Sequence, residues 1–106
     1  MMNVGSDFKL IEELATKDVN SLMEAQKSYG DSWRSRGGVG AFMMLARKWD
    51  RIENQTEKSK YDIFDTILND HSVEGILDDV KDLRCYLLLV EAYVISLLKE
   101  EYNENN

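Results

Sequence analysis

Three observations predict an all-α fold for this sequence. There is no proline, and from residue 41 onward only Gly75 interrupts a run of good helix formers. Apolar residues recur at three- and four-residue spacing through the longer segments. At 43% apolar the chain holds enough hydrophobic material to fold rather than stay disordered. The expected architecture is a helical bundle of about four helices with a long C-terminal helix, forming a single domain over residues 1–106 and completed by oligomerisation. A chain of 106 residues buries limited surface alone, which is the reason to expect self-association.

The first helix is expected from about Asp7 to Ser28. Ser6 or Asp7 serves as its cap, and Leu10, Ile11, Leu14, Leu22 and Met23 recur at helical spacing. A break between Thr16 and Ser21 is possible on local propensity. Residues 29–40 carry four glycines, two aromatics and two arginines, and read as a loop. The second helix is expected from Ala41 to Gln55, with Phe42, Leu45, Ala46, Trp49 and Ile52 as its buried stripe. Glu53 falls inside that stripe and Asp50 at its edge. Unpaired acids are rarely buried, so Glu53 stands out, unless it simply reaches water at a fraying helix end.

Residues 54–60 are a polar connection, and Tyr61 to Leu68 reads as a short helix. Asn69 to Ser72 reads as a turn, with Ser72 capping the helix that follows. That last helix is expected from Val73 to Glu101, about 40 Å long at 1.5 Å per residue. Ile76, Val80, Leu83, Leu87, Val90 and Val94 form its core stripe, and its C-terminal half is apolar nearly all round. The tail from Glu100 onward is expected to fray.

Net charge is −7. That balance argues against a protein that grips a nucleic-acid backbone, which needs a basic stripe. It admits an anionic ligand only where local cations or a metal reverse the field. The single Cys85 permits no internal disulfide; it is expected as a small core filler in a reducing compartment. No leader peptide is expected, and the longest apolar run is far below the roughly 20 residues that span a bilayer. A cytoplasmic protein with no membrane contact is expected. His71, in a polar turn with no partner close in sequence, is not assigned a role.

Two acid pairs carry the functional signal: Asp50-Arg-Ile-Glu53 and Asp79-Val-Lys-Asp82. Residues three apart share a helix face, so two such helices packed together gather four carboxylates. Carboxylates that close repel unless a cation neutralises them. Mg²⁺, a hard ion that takes oxygen ligands and recruits phosphates, suits such a group. Glu74, Asp78 and Asp82 form a further row at four-residue spacing; as an alternative they are a solvated face favoured by the helix dipole. Arg47, Lys48, Arg51, Lys81 and Arg84 lie close to the acids in sequence. They suit either ordinary surface ion pairs or phosphate binding.

The order acid-x-x-acid on one helix and acid-x-x-Asp on another resembles the MazG-like all-α NTP pyrophosphohydrolases. Asp50-x-x-Glu53 is followed, after residues 54–78, by Asp79-x-x-Asp82. The segments Lys27-Ser-Tyr-Gly-Asp-Ser-Trp33 and Arg47-Lys-Trp-Asp-Arg-Ile-Glu53 look more like one branch, the small phage and bacterial nucleotide-modification-associated domains. The resemblance covers residues 20–95. The family usually has Glu at the first and third acids; here both are the shorter Asp, which leaves Glu74 or Asp78 as alternative partners for Asp82.

The resemblance implies a Mg²⁺-dependent hydrolase, with Mn²⁺ as an alternative ion. It would convert a (d)NTP and water into the monophosphate and pyrophosphate. Asp50 and Glu53 would be catalytic; Glu53, Asp79, Asp82 and Asp78 are the metal candidates. Lys27, Lys48 and Arg51 are phosphate candidates, and Tyr29 and Trp33 are candidates for stacking on the base. Tyr29 and Trp33 could equally pin the loop to the core. The expected partners are the triphosphate and further copies of the chain, as a dimer or tetramer. Two other readings compete: an acidic helical interaction protein that mimics DNA or binds a partner, and an inactive nucleotide-binding relative.

Overall fold

The computed structural model describes residues 4–69 and 73–105, with side chains from 7 to 69 and from 75 to 104. Every regular element among them is helical. The chain divides into two compact units, Met1–Ser35 and Arg36–Asn106.

The first unit holds α1 (Val4–Tyr29) and a 3₁₀ turn, Ser32–Arg34. The helix runs through residues 16–21 without the possible break. Inside it the Thr16 hydroxyl donates to the Glu12 carbonyl one turn back at 3.0 Å, the bond a mid-helix threonine makes. Gly30 ends the helix with φ +57, and its N–H donates to the Gln26 carbonyl at 2.9 Å. This is a left-handed C-terminal cap, the conformation in which a Cβ costs most. Gly30→Ala is expected to destabilise this end by about 1 kcal/mol, read as an earlier loss of far-UV helical signal on heating; an unchanged melt would show that the cap is not formed.

The second unit holds α2 (Gly37–Glu57), α3 (Ile63–Asn69) and α4 (Val73–Asn105). The glycine-rich segment is therefore partly helix, contrary to the loop expected there. Gly40 lies in the first turn of α2, where an added Cβ would come within 2.6 Å of the Arg36 Cβ. Glycine at this point lets Arg36 fold across the helix start. The end of α2 is closed by Tyr61, whose N–H donates to the Thr56 carbonyl at 2.9 Å while Lys60 and Tyr61 take positive φ. Asp62 then caps α3, its carboxylate accepting from the Asp65 N–H at 3.1 Å.

α2 and α4 form the main packing of this unit, and α3 touches both. Among the described residues its buried apolar side chains are Ile52 and Ile76, joined by buried Thr56, Thr66 and Asp79. The expected α2 stripe holds at buried Ile52, with Leu45 and Ala46 half-buried, and is corrected at Phe42, Trp49 and Glu53. Phe42 is 64% and Trp49 56% exposed, and Glu53 is exposed rather than buried. The inward line instead runs through Lys48, Ile52, Gln55 and Thr56. Polar residues hold that face because a carboxylate on α4 faces them.

Candidate functional site

The carboxylate is Asp79, 1% exposed on α4. Its Oδ1 accepts from Arg51 Nε at 3.0 Å and lies 3.9 Å from Lys48 Nζ. Its Oδ2 accepts from Gln55 Nε2 at 2.9 Å. Gln55 is held from behind, since the same nitrogen donates to the Arg51 carbonyl at 3.1 Å. Gly75 makes room for this arrangement: a Cβ there would lie 3.2 Å from Gln55 Oε1. One helical turn further along α4, Asp82 Oδ2 takes Lys48 Nζ at 3.0 Å.

Each donor on α2 has a reason to be there. Lys48, Arg51 and Gln55 sit at three- and four-residue spacing, so they line one helix face. Their partners Asp82 and Asp79 run in the opposite chain direction, which makes α2 and α4 antiparallel. Two carboxylates meet two cations, so the group is balanced in charge. A buried carboxylate is tolerated only with such pairing. Lys48 spans both acids while only 20% exposed, and Arg51 reaches water at 55%.

Of the remaining sequence-predicted residues, Lys27, Tyr29 and Trp33 belong to the first unit, and Asp50, Glu53 and Asp78 to the second. Asp50, Glu53 and Asp78 are exposed. Lys27 pairs with Glu24 at 3.1 Å on α1. Tyr29 is 72% exposed and Trp33 half-buried. Cys85 is half-buried on α4. The Glu74 side chain, together with Asp70, His71 and Ser72, lies outside the described residues.

Among the described residues no three His, Cys, Asp or Glu side chains converge as a metal ion would require. The position between Asp79 and Asp82 is filled by the ammonium of Lys48, and the Asp79 oxygens already receive Arg51 and Gln55. That donor set suits the cations the chain itself supplies.

Two residues escaped sequence reasoning. Gln55 marks only a helix end in the sequence pattern, yet its amide holds the buried acid. Asp18, on α1, is 1% exposed. A signal for it existed, since Leu14, Asp18 and Leu22 recur at four-residue spacing and put an acid on an apolar line.

Compared with known proteins, the chain matches no family model, no curated protein and no solved structure.

Proposed function

We propose that this chain is a nucleoside triphosphate pyrophosphohydrolase of the MazG-like kind, working in the cytoplasm on a free (d)NTP. The observation that carries the reading is the meeting of Lys48 and Arg51 with Asp79 and Asp82. These are residues from the two motifs of the resemblance, on two different helices. A triphosphate approaching a chain of net charge −7 needs a local reversal of field. Lys48 and Arg51 are balanced by Asp79 and Asp82, so the reversal requires them to exchange those carboxylates for phosphate oxygens, with exposed Arg47 beside them on α2.

In this reading Lys48 and Arg51 bind phosphate oxygens and hold the charge that develops on the leaving pyrophosphate. The resemblance gives Asp50 and Glu53 the task of orienting the attacking water and taking its proton; on α2 they are exposed, on the side turned away from Lys48 and Gln55. Water adds to the α-phosphorus, the bond to the bridging oxygen breaks, and the products are a monophosphate and pyrophosphate. The divalent ion that the resemblance implies has no ligand set among the described residues, so no role is assigned to one. Among the described residues Ile52 and Ile76 are a small buried core, and the working species is therefore read as a homo-oligomer, dimer or tetramer.

The test is pyrophosphate release from a panel of NTPs and dNTPs, with Mg²⁺, with Mn²⁺ and with EDTA. Release from at least one nucleotide is expected; silence across the whole panel would sink the enzyme reading. The partner-binding alternative draws on one observation, the many large apolar side chains left exposed. Nucleotide binding without release would favour the inactive relative instead.

A further inference from the structure

α4 is far longer than the helix it packs on. At 1.5 Å per residue its 33 residues extend about 50 Å, against about 32 Å for the 21 residues of α2. The pairs Lys48–Asp82 and Arg51–Asp79 set the register between the two. Carried along the helices, that register brings the first residue of α2, Gly37, level with about Tyr93. Beyond it, every residue from Val94 to Glu104 is exposed. The overhang is not polar. Within it Ile95 is 45% exposed, Leu98 59% and Tyr102 68%, flanked by Val94 at 46%, and the same face continues back along α4 through Leu88 at 40% and Leu87 at 50%. Ile95, Leu98, Lys99, Tyr102 and Asn103 line a shallow groove along it.

We infer that the C-terminal half of α4 is a self-association surface, on which the same segment of a second copy lies antiparallel about a two-fold axis at Ile95. Two arguments select this occupant. The first is charge. Glu91 and Lys99 lie four residues to either side of Ile95, both within about 40° of it on a helical wheel. An antiparallel pair centred on Ile95 brings Glu91 of each copy level with Lys99 of the other, giving two opposite-charge pairs. A parallel pair sets Glu91 against Glu91 and Lys99 against Lys99. The second is area. Six large apolar side chains, each about half exposed, offer roughly 500–600 Å² per copy, and the stems of Glu91 and Lys99 extend this toward the ~800 Å² per partner of a stable interface. The same surface is complementary to itself, as a two-fold contact requires.

This inference does not depend on the hydrolase reading, because its test contains no nucleotide. The full chain carrying Cys85→Ser is the background, examined by sedimentation equilibrium from micromolar to submillimolar concentration and by oxidative crosslinking. The wild-type surface is expected to give dimers or multiples of them. Ile95→Cys should crosslink with itself, because the axis brings the two positions together. Leu88→Cys and Tyr102→Cys should each fail alone but crosslink when mixed. Ile95→Asp should weaken association by at least about 100-fold, since pairing would then bury two like charges, with unchanged far-UV circular dichroism. A monomer across the whole range would overturn the inference, as would self-crosslinking of Leu88→Cys, which reports a parallel pair. If Ile95→Asp fails to fold, the cysteine pairs still decide the question.

Discussion

Asp79→Ala lowers the unfolding free energy by about 2 kcal/mol, making it the most damaging polar substitution expected in the second unit. Breaking a fully buried pair typically costs 3–5 kcal/mol, because the surviving charge is stranded. Here the survivor is Arg51, 55% exposed, which turns to water, so the upper range does not apply. What remains is the lost charge-assisted bond from Arg51, the lost bond from Gln55, whose amide keeps the Arg51 carbonyl as acceptor, and a cavity beside Ile76. In a domain of this size 2 kcal/mol is roughly 8–16 °C in Tm. Urea titration of the full chain checks it. Asp82→Ala is the control: Asp82 is 46% exposed and holds a single cation, so its loss should cost under about 1 kcal/mol. Equal effects for the two would show that the buried network does not form in solution. Raised salt should change the Asp79 cost little, since buried pairs are poorly screened.

How far the fold was legible depends on the range of the forces involved. α4 could be read from an uninterrupted pattern after Gly75, because that pattern is local. The start of α2 could not. Glycines 37, 38 and 40 read as a loop on propensity, yet the structure folds them into α2, with the Arg36 Cβ in the space that a side chain at position 40 would fill. The inward face of α2 was misjudged for a similar reason. Apolar periodicity selected Phe42 and Trp49. The structure selects Lys48 and Gln55, whose partners are Asp79 and Asp82 on another helix. A hydrophobic wheel cannot see a polar face that is buried because it is paired.

The candidate site was legible as residues and not as an arrangement. Lys48, Arg51, Asp79 and Asp82 were all nominated, but as separate classes: cations for phosphate, acids for metal. The structure joins them to each other. Spacing alone shows that acids can share a face, but says nothing about which counter-charge reaches that face first. Glu53 illustrates the limit. Its position on the expected stripe argued for burial, and the rotation of α2 that brings Lys48 inward leaves Glu53 exposed.

Lys48→Met is the substitution expected to separate function from stability most cleanly. If Lys48 and Arg51 supply the charge that stabilises the leaving pyrophosphate, removing Lys48 lowers kcat/KM for pyrophosphate release by at least about 100-fold, the usual effect of deleting one electrostatic stabiliser. That is about 2.7 kcal/mol of transition-state free energy. Its stability cost should stay below about 1 kcal/mol. Lys48 contacts half-exposed Asp82 at 3.0 Å, and Asp79 only at 3.9 Å, and Asp79 keeps Arg51 and Gln55. The double variant Lys48→Met/Asp82→Asn should then lose little more than Lys48→Met alone, because residues acting as one unit are not additive. The assay is run on the nucleotide that the panel identifies, with Mg²⁺, with Mn²⁺ and with EDTA. Full activity of Lys48→Met with either ion, abolished by Asp82→Asn, would reverse the assignment. The acids would then be the catalytic ligands of an ion, and Lys48 only their counter-charge in its absence.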